Sequence, residues 1–229
     1  MSDYEPGDRR PIASRKLSWV KRIASLFVRL KISPNAISLM SVVFALAGAG
    51  FMLGTEAVSS TLLTRVFWIA AALCVQLRLL ANMFDGMVAL ESGQASATGE
   101  LFNELPDRVS DTALLVALGF VAGSSPHLGY AAALLAMFGA YLRAVGASVG
   151  AGQLFAGIMA KPQRMFTLTS LLVFLAAAPA SWSSAWANAP IGPAGITLAV
   201  ICLGCLVTAI TRLLAIGRKL RGVADAAAL

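Results

Sequence analysis

Residues 62–111 read LLTRVFWIAAALCVQLRLLANMFDGMVALESGQASATGELFNELPDRVSD. The first part, Leu62 to about Ala81, is almost entirely apolar and close to the ~20 residues that cross a hydrocarbon core of about 30 Å. The second part changes character. Asp85, Glu91, Glu100, Glu104, Asp107 and Asp111 are six of the 11 acidic residues in the whole chain. Carboxylates beside apolar helix at membrane depth are costly, so they face a polar interior and mark a functional site.

Outward from this stretch, the composition is that of a membrane protein. Of 229 residues, 58% are hydrophobic and 13% charged, and the mean hydropathy is +0.78. A soluble fold of this length needs far more polar surface. The expected fold is all-α and polytopic, with six transmembrane helices: Ala36–Gly54, Leu62–Ala81, Val109–Gly123, Tyr130–Val149, Met165–Ala178 and Ala194–Ile216. Gly/Pro/Ser segments, such as those after Gly123 and from Pro179 to Pro193, read as exposed connections. The polar, charged start lacks the short apolar run of a signal peptide. Cys74, Cys202 and Cys205 all lie in apolar runs, where a thiol behaves as a small hydrophobe. His127 is the sole histidine, which argues against a zinc site.

Charge orients the spans. Of 18 basic residues, only Arg65 falls near one face, while the termini and the second and fourth connections are basic. The positive-inside rule puts those segments, and both termini, in the cytoplasm. The net charge of +7 is thereby accounted for without nucleic acid. Before the first span, Arg15, Ser18, Arg22, Ser25 and Arg29 recur at helical spacing, with Leu17, Val20, Ala24 and Phe27 on the other side and Trp19 suited to the headgroup layer. This predicts an N-terminal amphipathic interfacial helix beside anionic lipid, ending before Ser33-Pro34-Asn35. The organisation is then 1–33, a cytoplasmic segment with this juxtamembrane helix; 34–217, the six-helix domain; and 218–229, a cytoplasmic tail.

Within the acidic stretch, Asn82 and Asp85 are three residues apart and project from one helical face. Gly86 and Ala89 continue that face with small residues, leaving room for a ligand. Across the connection, Glu100, Asn103 or Glu104, Asp107 and Asp111 form a ladder on the next helix. Facing carboxylate and amide oxygens suit a hard cation such as Mg²⁺, Mn²⁺ or Ca²⁺.

The same residues resemble the signature of the CDP-alcohol phosphotransferase family, D-x-x-D-G-x-x-A-R, eight residues, then G-x-x-x-D-x-x-x-D. The chain has Asn82, Asp85, Gly86, Ala89 and Leu90, eight residues, then Gly99, Asn103 and Asp107. The spacing matches throughout. Ser33-Pro34-Asn35-Ala36-Ile37-Ser38 is similar to the family's P-N-x-[IL]-[ST] opening, and Lys161-Pro-Gln-Arg164 to a basic turn in many members. Asn82 and Asn103 replace the first and third aspartates, and Leu90 replaces the arginine. An amide oxygen can still ligate an ion but brings no charge, and each lost charge weakens binding at close range. Glu100, Glu104 and Asp111 are near enough in sequence to compensate.

The resemblance implies a phospholipid-synthesising transferase in the cytoplasmic membrane. It would move a phosphatidyl or related group from CDP-diacylglycerol, or another CDP-linked lipid, to a small alcohol and release CMP. Asn82, Asp85, Asn103 and Asp107 would hold divalent metal, Mg²⁺ or Mn²⁺, as one or two ions. Asp107 would accept the hydroxyl proton, with Asp111 in reserve, and Gly86, Ala89 and Gly99 would line the cytidine pocket. Lys161 or Arg164 would meet the diphosphate in place of the missing arginine. With Arg143, they could instead bind a phosphorylated acceptor. A homodimer is expected by the same resemblance. The alternative is a non-catalytic lipid-binding or scaffold relative that kept the fold and lost the metal chemistry.

Overall fold

The structure is a computed structural model that describes residues 17–93, 97–187 and 189–227. Among these the secondary structure is helical throughout, with no strand. In chain order the helices are α1 (Ser18–Arg29), α2 (Pro34–Gly54), α3 (Thr61–Glu91), α4 (Ala97–Gly119), α5 (Pro126–Ser148), α6 (Lys161–Ala177), α7 (Ala180–Ala187) and α8 (Pro193–Ala227). A single 3-10 turn, Thr55–Ala57, follows α2. Four helical stretches are long and apolar enough to cross a membrane: Pro34–Ala57, Thr61–Glu91, Pro126–Ser148 and Pro193–Gly222. At 17 residues α6 is short for a span, and α4 carries the acidic ladder.

Local chemistry explains the helix starts. Ser33 caps α2 by accepting from the Ala36 N–H at 3.2 Å, and Pro34 occupies the first turn, where its missing N–H costs nothing. Two boundaries differ from the sequence reading. The second span does not stop near Ala81 but continues for 31 residues, to Glu91. No breaker interrupts it, because Asn82 and Asp85 find partners on other helices. The connection after Pro179 contains a short helix, α7. Its Trp182 and Trp186 meet edge-on at 5.7 Å, and Trp186 reaches Phe174 of α6 at 5.6 Å.

The main core gathers Val75 of α3, Leu114 and Leu118 of α4, Met165, Leu168 and Leu172 of α6, and Leu198 and Ile201 of α8. Close packing of these side chains holds the bundle, since helices surrounded by lipid associate through van der Waals contact rather than by leaving water. A second cluster lies near the far end of α3. There Val20 and Ala24 of α1 are buried against Ala81, Phe84 and Val88, and Phe27 meets Phe84 edge-on at 5.5 Å. Ser25 adds a hydrogen bond to Glu91 at 2.5 Å. The apolar side of α1 therefore leans on protein, while Leu17 and Trp19 are exposed. The predicted positions 14–16 lie outside the described residues.

Two close approaches fix the bundle, one at the end away from the polar cluster and one beside it. Gly119 and Gly129 let α4 and α5 cross with almost no gap, since a Cβ on either would stand 3.0 Å from the other's Cα. Gly157, at φ +124, presses against α8, and a Cβ there would sit 2.2 Å from Thr208 Cγ2. Thr208 then accepts the Met159 N–H at 2.9 Å, fixing the segment that leads into Lys161 and Arg164. Gly157→Ala is expected to lower the melting temperature in detergent, because the strained backbone alone costs about 1–3 kcal/mol. Gly217→Ala, opposed only by the Arg221 side-chain tip at 4.0 Å, should leave it nearly unchanged.

Candidate active site

At one end of the bundle α2 to α6 and α8 bring together the polar and charged residues that the sequence scatters from Ser38 to Arg212. Asp85 is 2% exposed. Its Oδ2 accepts the Ser38 hydroxyl at 2.6 Å, and its Oδ1 accepts the Gly86 N–H at 2.5 Å. Asp107 carries more. Both its oxygens accept from Lys161 Nζ at 2.5 Å, Asn82 Nδ2 donates to Oδ1, and Arg78 Nη2 approaches Oδ1 and the backbone carbonyl at 3.3 Å. Asp85 and Asp107 lie close enough for their charges to repel, with Lys161 attracting Asp85.

Asp111 is buried between two guanidinium groups. Arg78 donates to one oxygen at 2.6 Å and Arg164 to the other at 2.6 Å. Glu104 instead meets Arg108 at 2.8 Å and Arg143. Burial alone would raise its carboxyl, but the two guanidinium groups hold it below the usual range. Arg143 also lies over the Phe155 ring at 5.7 Å, in reach of a cation–π contact. Glu104 and Asp111, which the sequence offers as compensating charges, are thus each engaged by two arginines. The side chains of Glu100 and Asn103 lie outside those described.

A cavity of about 200 Å³ opens beside Asp107. Its charged lining is Asp107, Arg108, Arg143, Lys161, Arg164 and Arg212, five cations against one carboxylate. Ala160, Lys161 and Pro162 bring the start of α6 to the same wall. No side chain caps that start, and an uncapped helix N-terminus favours an anion. The structure thus gathers the predicted Arg143, Lys161 and Arg164 around the predicted Asp107 and Asn82. Asp111 and the predicted cytidine-pocket residues Gly86, Ala89 and Gly99 are outside this lining among the described residues. Leu90 is half exposed.

Three residues of the cluster escaped the sequence reading. Ser38 closes the opening motif yet was assigned no role. Arg78 counted only as a flanking positive charge, although it lies four and seven residues before Asn82 and Asp85, on their face of α3. It is fully buried. Arg212 sits inside the last span, where a charge is itself a functional signal. It donates to the carbonyls of Ala156 at 2.9 Å and Gly139 at 2.5 Å.

No profile of a known protein family matches the chain. A curated relative does. The archaetidylinositol phosphate synthase of Aeropyrum pernix is 31% identical over 150 residues, 66% of this chain and 71% of the relative. The chain belongs to the CDP-alcohol phosphotransferase family. Its fold is shared by solved structures of the Mycobacterium tuberculosis phosphatidylinositol phosphate synthase. One, in complex with manganese and citrate, has a TM-score of 0.67 at 18% identity, covering 86% of this chain and 88% of that one. Another, with CDP-DAG bound, has a TM-score of 0.63 at 18% identity, covering 86% and 92%. Family membership makes the chain a transferase of phospholipid synthesis, with a CDP-linked donor, a small alcohol as acceptor and CMP as product.

Ser38 offers a direct test of the cluster. Ser38→Ala leaves Asp85 with the Gly86 N–H alone, and a lost hydrogen bond to a charged group costs about 1.5–3 kcal/mol. CMP release from a CDP-lipid donor should fall roughly tenfold or more. Ser38→Thr, which restores a hydroxyl, should recover part of it.

Proposed function

We propose that this family member uses a phosphorylated small alcohol, of the inositol phosphate class, as its acceptor, with CDP-diacylglycerol or a related CDP-linked lipid as its donor. The observation that carries this reading is the convergence of Arg108, Arg143, Lys161, Arg164 and Arg212 on the cavity beside Asp107. A neutral alcohol has no use for five cations and an uncapped helix start, whereas a phosphate dianion does. The names of the Aeropyrum archaetidylinositol phosphate synthase and the Mycobacterium phosphatidylinositol phosphate synthase support the same choice.

The acceptor's phosphate would rest among Arg143, Arg164 and Lys161, leaving its hydroxyl toward Asp107. The hydroxyl oxygen attacks the donor phosphorus that bears the diacylglycerol. The bond from that phosphorus to the CMP oxygen breaks, the hydroxyl proton passes to an Asp107 oxygen, and CMP leaves. Held by Lys161 and Arg78, the Asp107 carboxylate would orient the hydroxyl and take its proton as the new P–O bond forms. Gly86, Ala89 and Gly99, at the facing ends of α3 and α4, leave space for the cytidine.

The residues fit a divalent ion. Asp85 and Asp107 repel each other in a buried setting, a repulsion that a cation between them relieves. Their oxygens, with the amide oxygen of Asn82, would offer the hard donor set that suits Mg²⁺ or Mn²⁺, and the family resemblance adds Asn103. No group of three His, Cys, Asp or Glu side chains among the described residues is placed to hold an ion; amide oxygens would complete the set. When bound, the ion neutralises charge on the donor's diphosphate.

In the membrane, the reading has six spans, α2 to α6 and α8, with both termini and the site on the cytoplasmic side. Helix α1 lies in the interface plane with Lys21, Arg22 and Arg29 toward anionic headgroups. Two such chains form a homodimer.

The test uses the full chain in nanodiscs with labelled CDP-diacylglycerol and Mg²⁺ or Mn²⁺. Inositol phosphate, inositol, glycerol phosphate and glycerol are compared as acceptors. CMP release should require a phosphorylated acceptor, stop with EDTA, and return with either ion. Asp107→Asn should lower kcat by 10²–10⁴. Turnover only with an unphosphorylated acceptor would refute the acceptor assignment, and no turnover or ion binding under any condition would favour the scaffold alternative.

A further inference from the structure

Asp111 and Arg78 are the charged pair of the cluster with no assigned task. Asp111 is 3% exposed and lies behind the cavity wall rather than in it. Its two oxygens are divided between Arg78 Nη2 and Arg164 Nη2, each at 2.6 Å. Arg164 also gives Nη1 to the Met159 carbonyl at 3.0 Å. The guanidinium is therefore held at two nitrogens, by α4 and by the turn that precedes α6, which leaves its plane little freedom. The side chain also interacts with the Cys205 thiol of α8, and it is part of the cavity lining. A guanidinium clamped in this way in a cationic cavity has an anionic ligand as its natural complement.

Arg78 extends the clamp. The same Nη2 atom that reaches Asp111 also approaches the Asp107 carboxylate and carbonyl at 3.3 Å. A continuous path thus runs from Asp107 through Arg78, Asp111 and Arg164 to Met159, crossing α3, α4 and α6. Each Asp111 oxygen already accepts from a guanidinium and the carboxylate is outside the cavity lining, which argues against the reserve-base role.

We infer that Asp111 and Arg78 are positioning residues that orient Arg164 toward an oxygen of the acceptor's phosphate and keep it in register with Asp107. The inference rests on the phosphorylated-acceptor reading above. A merely structural ion pair would stabilise the bundle and leave substrate discrimination untouched. A positioning pair acts selectively on the acceptor.

The experiment compares the full chain with Asp111→Asn, Asp111→Glu, Arg78→Lys, Arg78→Met and the Asp111→Asn/Arg78→Met double variant, all in nanodiscs. It reads KM for inositol phosphate, KM for CDP-diacylglycerol, kcat, the Kd of inorganic phosphate and the melting temperature. Asp111→Asn should raise both the acceptor KM and the phosphate Kd at least tenfold while the donor KM stays within twofold. Asp111→Glu should recover part of that loss, and Arg78→Met should also lower kcat. The double variant should be no worse for the acceptor than the poorer single one, because the residues act as a unit. The inference is overturned if Asp111→Asn lowers the melting temperature alone, if donor and acceptor KM rise together, or if the two losses simply add. If Asp111→Asn and Arg78→Met fail to fold, Asp111→Glu and Arg78→Lys decide the question by the same acceptor-to-donor ratio. A parent chain that neither uses inositol phosphate nor binds phosphate brings down both readings. A parent that does both, with unchanged ratios in the variants, removes only this one.

Discussion

A carboxylate enclosed by helices, with no water to turn to, must be met by cations or it will not stay charged. Asp111 is where that constraint binds hardest. It can be accommodated only if α3 delivers Arg78 and α6 delivers Arg164 to opposite sides of it. Meeting that demand brings the three helices together at their polar ends, and the rest of the site follows. Asp85, Asp107 and Asp111 are then balanced by Arg78, Lys161 and Arg164 at close range. A pair like this is weak evidence for net stability, but removing one member strands the others, which makes the arrangement specific.

The amide at position 82 belongs to the same logic. An aspartate there would add a negative charge beside Asp107. Asn82 instead donates a hydrogen bond to it, so this chain trades charge for a neutral brace. With Lys161 and Arg78 also on Asp107, positive charge is supplied in part by side chains. The departure from the family signature is thus consistent with its surroundings rather than an isolated loss.

Much of this was legible in the sequence. Long apolar runs announced the helices, and the pairing of Asn82 and Asp85 with the Asp107 ladder located the site because helical spacing and motif spacing agreed. Arg143, Lys161 and Arg164 could be named because they clustered beside helix ends. Arg78 could not, since a lone arginine at the end of a span looks the same whether it faces lipid headgroups or a buried carboxylate. Ser38 needed a contact across 47 residues, which no local pattern encodes. Glu104 and Asp111 looked like spare metal ligands from their spacing, and only the positions of Arg143 and Arg164 show that they are engaged elsewhere. The α7 helix is hidden because its Ser-rich sequence follows Pro179 and looks like a turn, and its aromatic packing is tertiary.

The unbroken length of α3 has one more consequence. At about 1.5 Å per residue its 31 residues extend for about 46 Å, against a hydrocarbon thickness of about 30 Å. Asp85 stands 24 residues beyond Thr61, about 36 Å along the axis. With Thr61 at the opposite boundary, a rod of that length would carry its carboxylate out of the oily layer to the depth of the lipid phosphates. A lipid donor can therefore keep its tails dissolved in the leaflet and offer only its head. A water-soluble acceptor arrives from the other side of the same plane, so the boundary between oil and water becomes the meeting place of the two reactants.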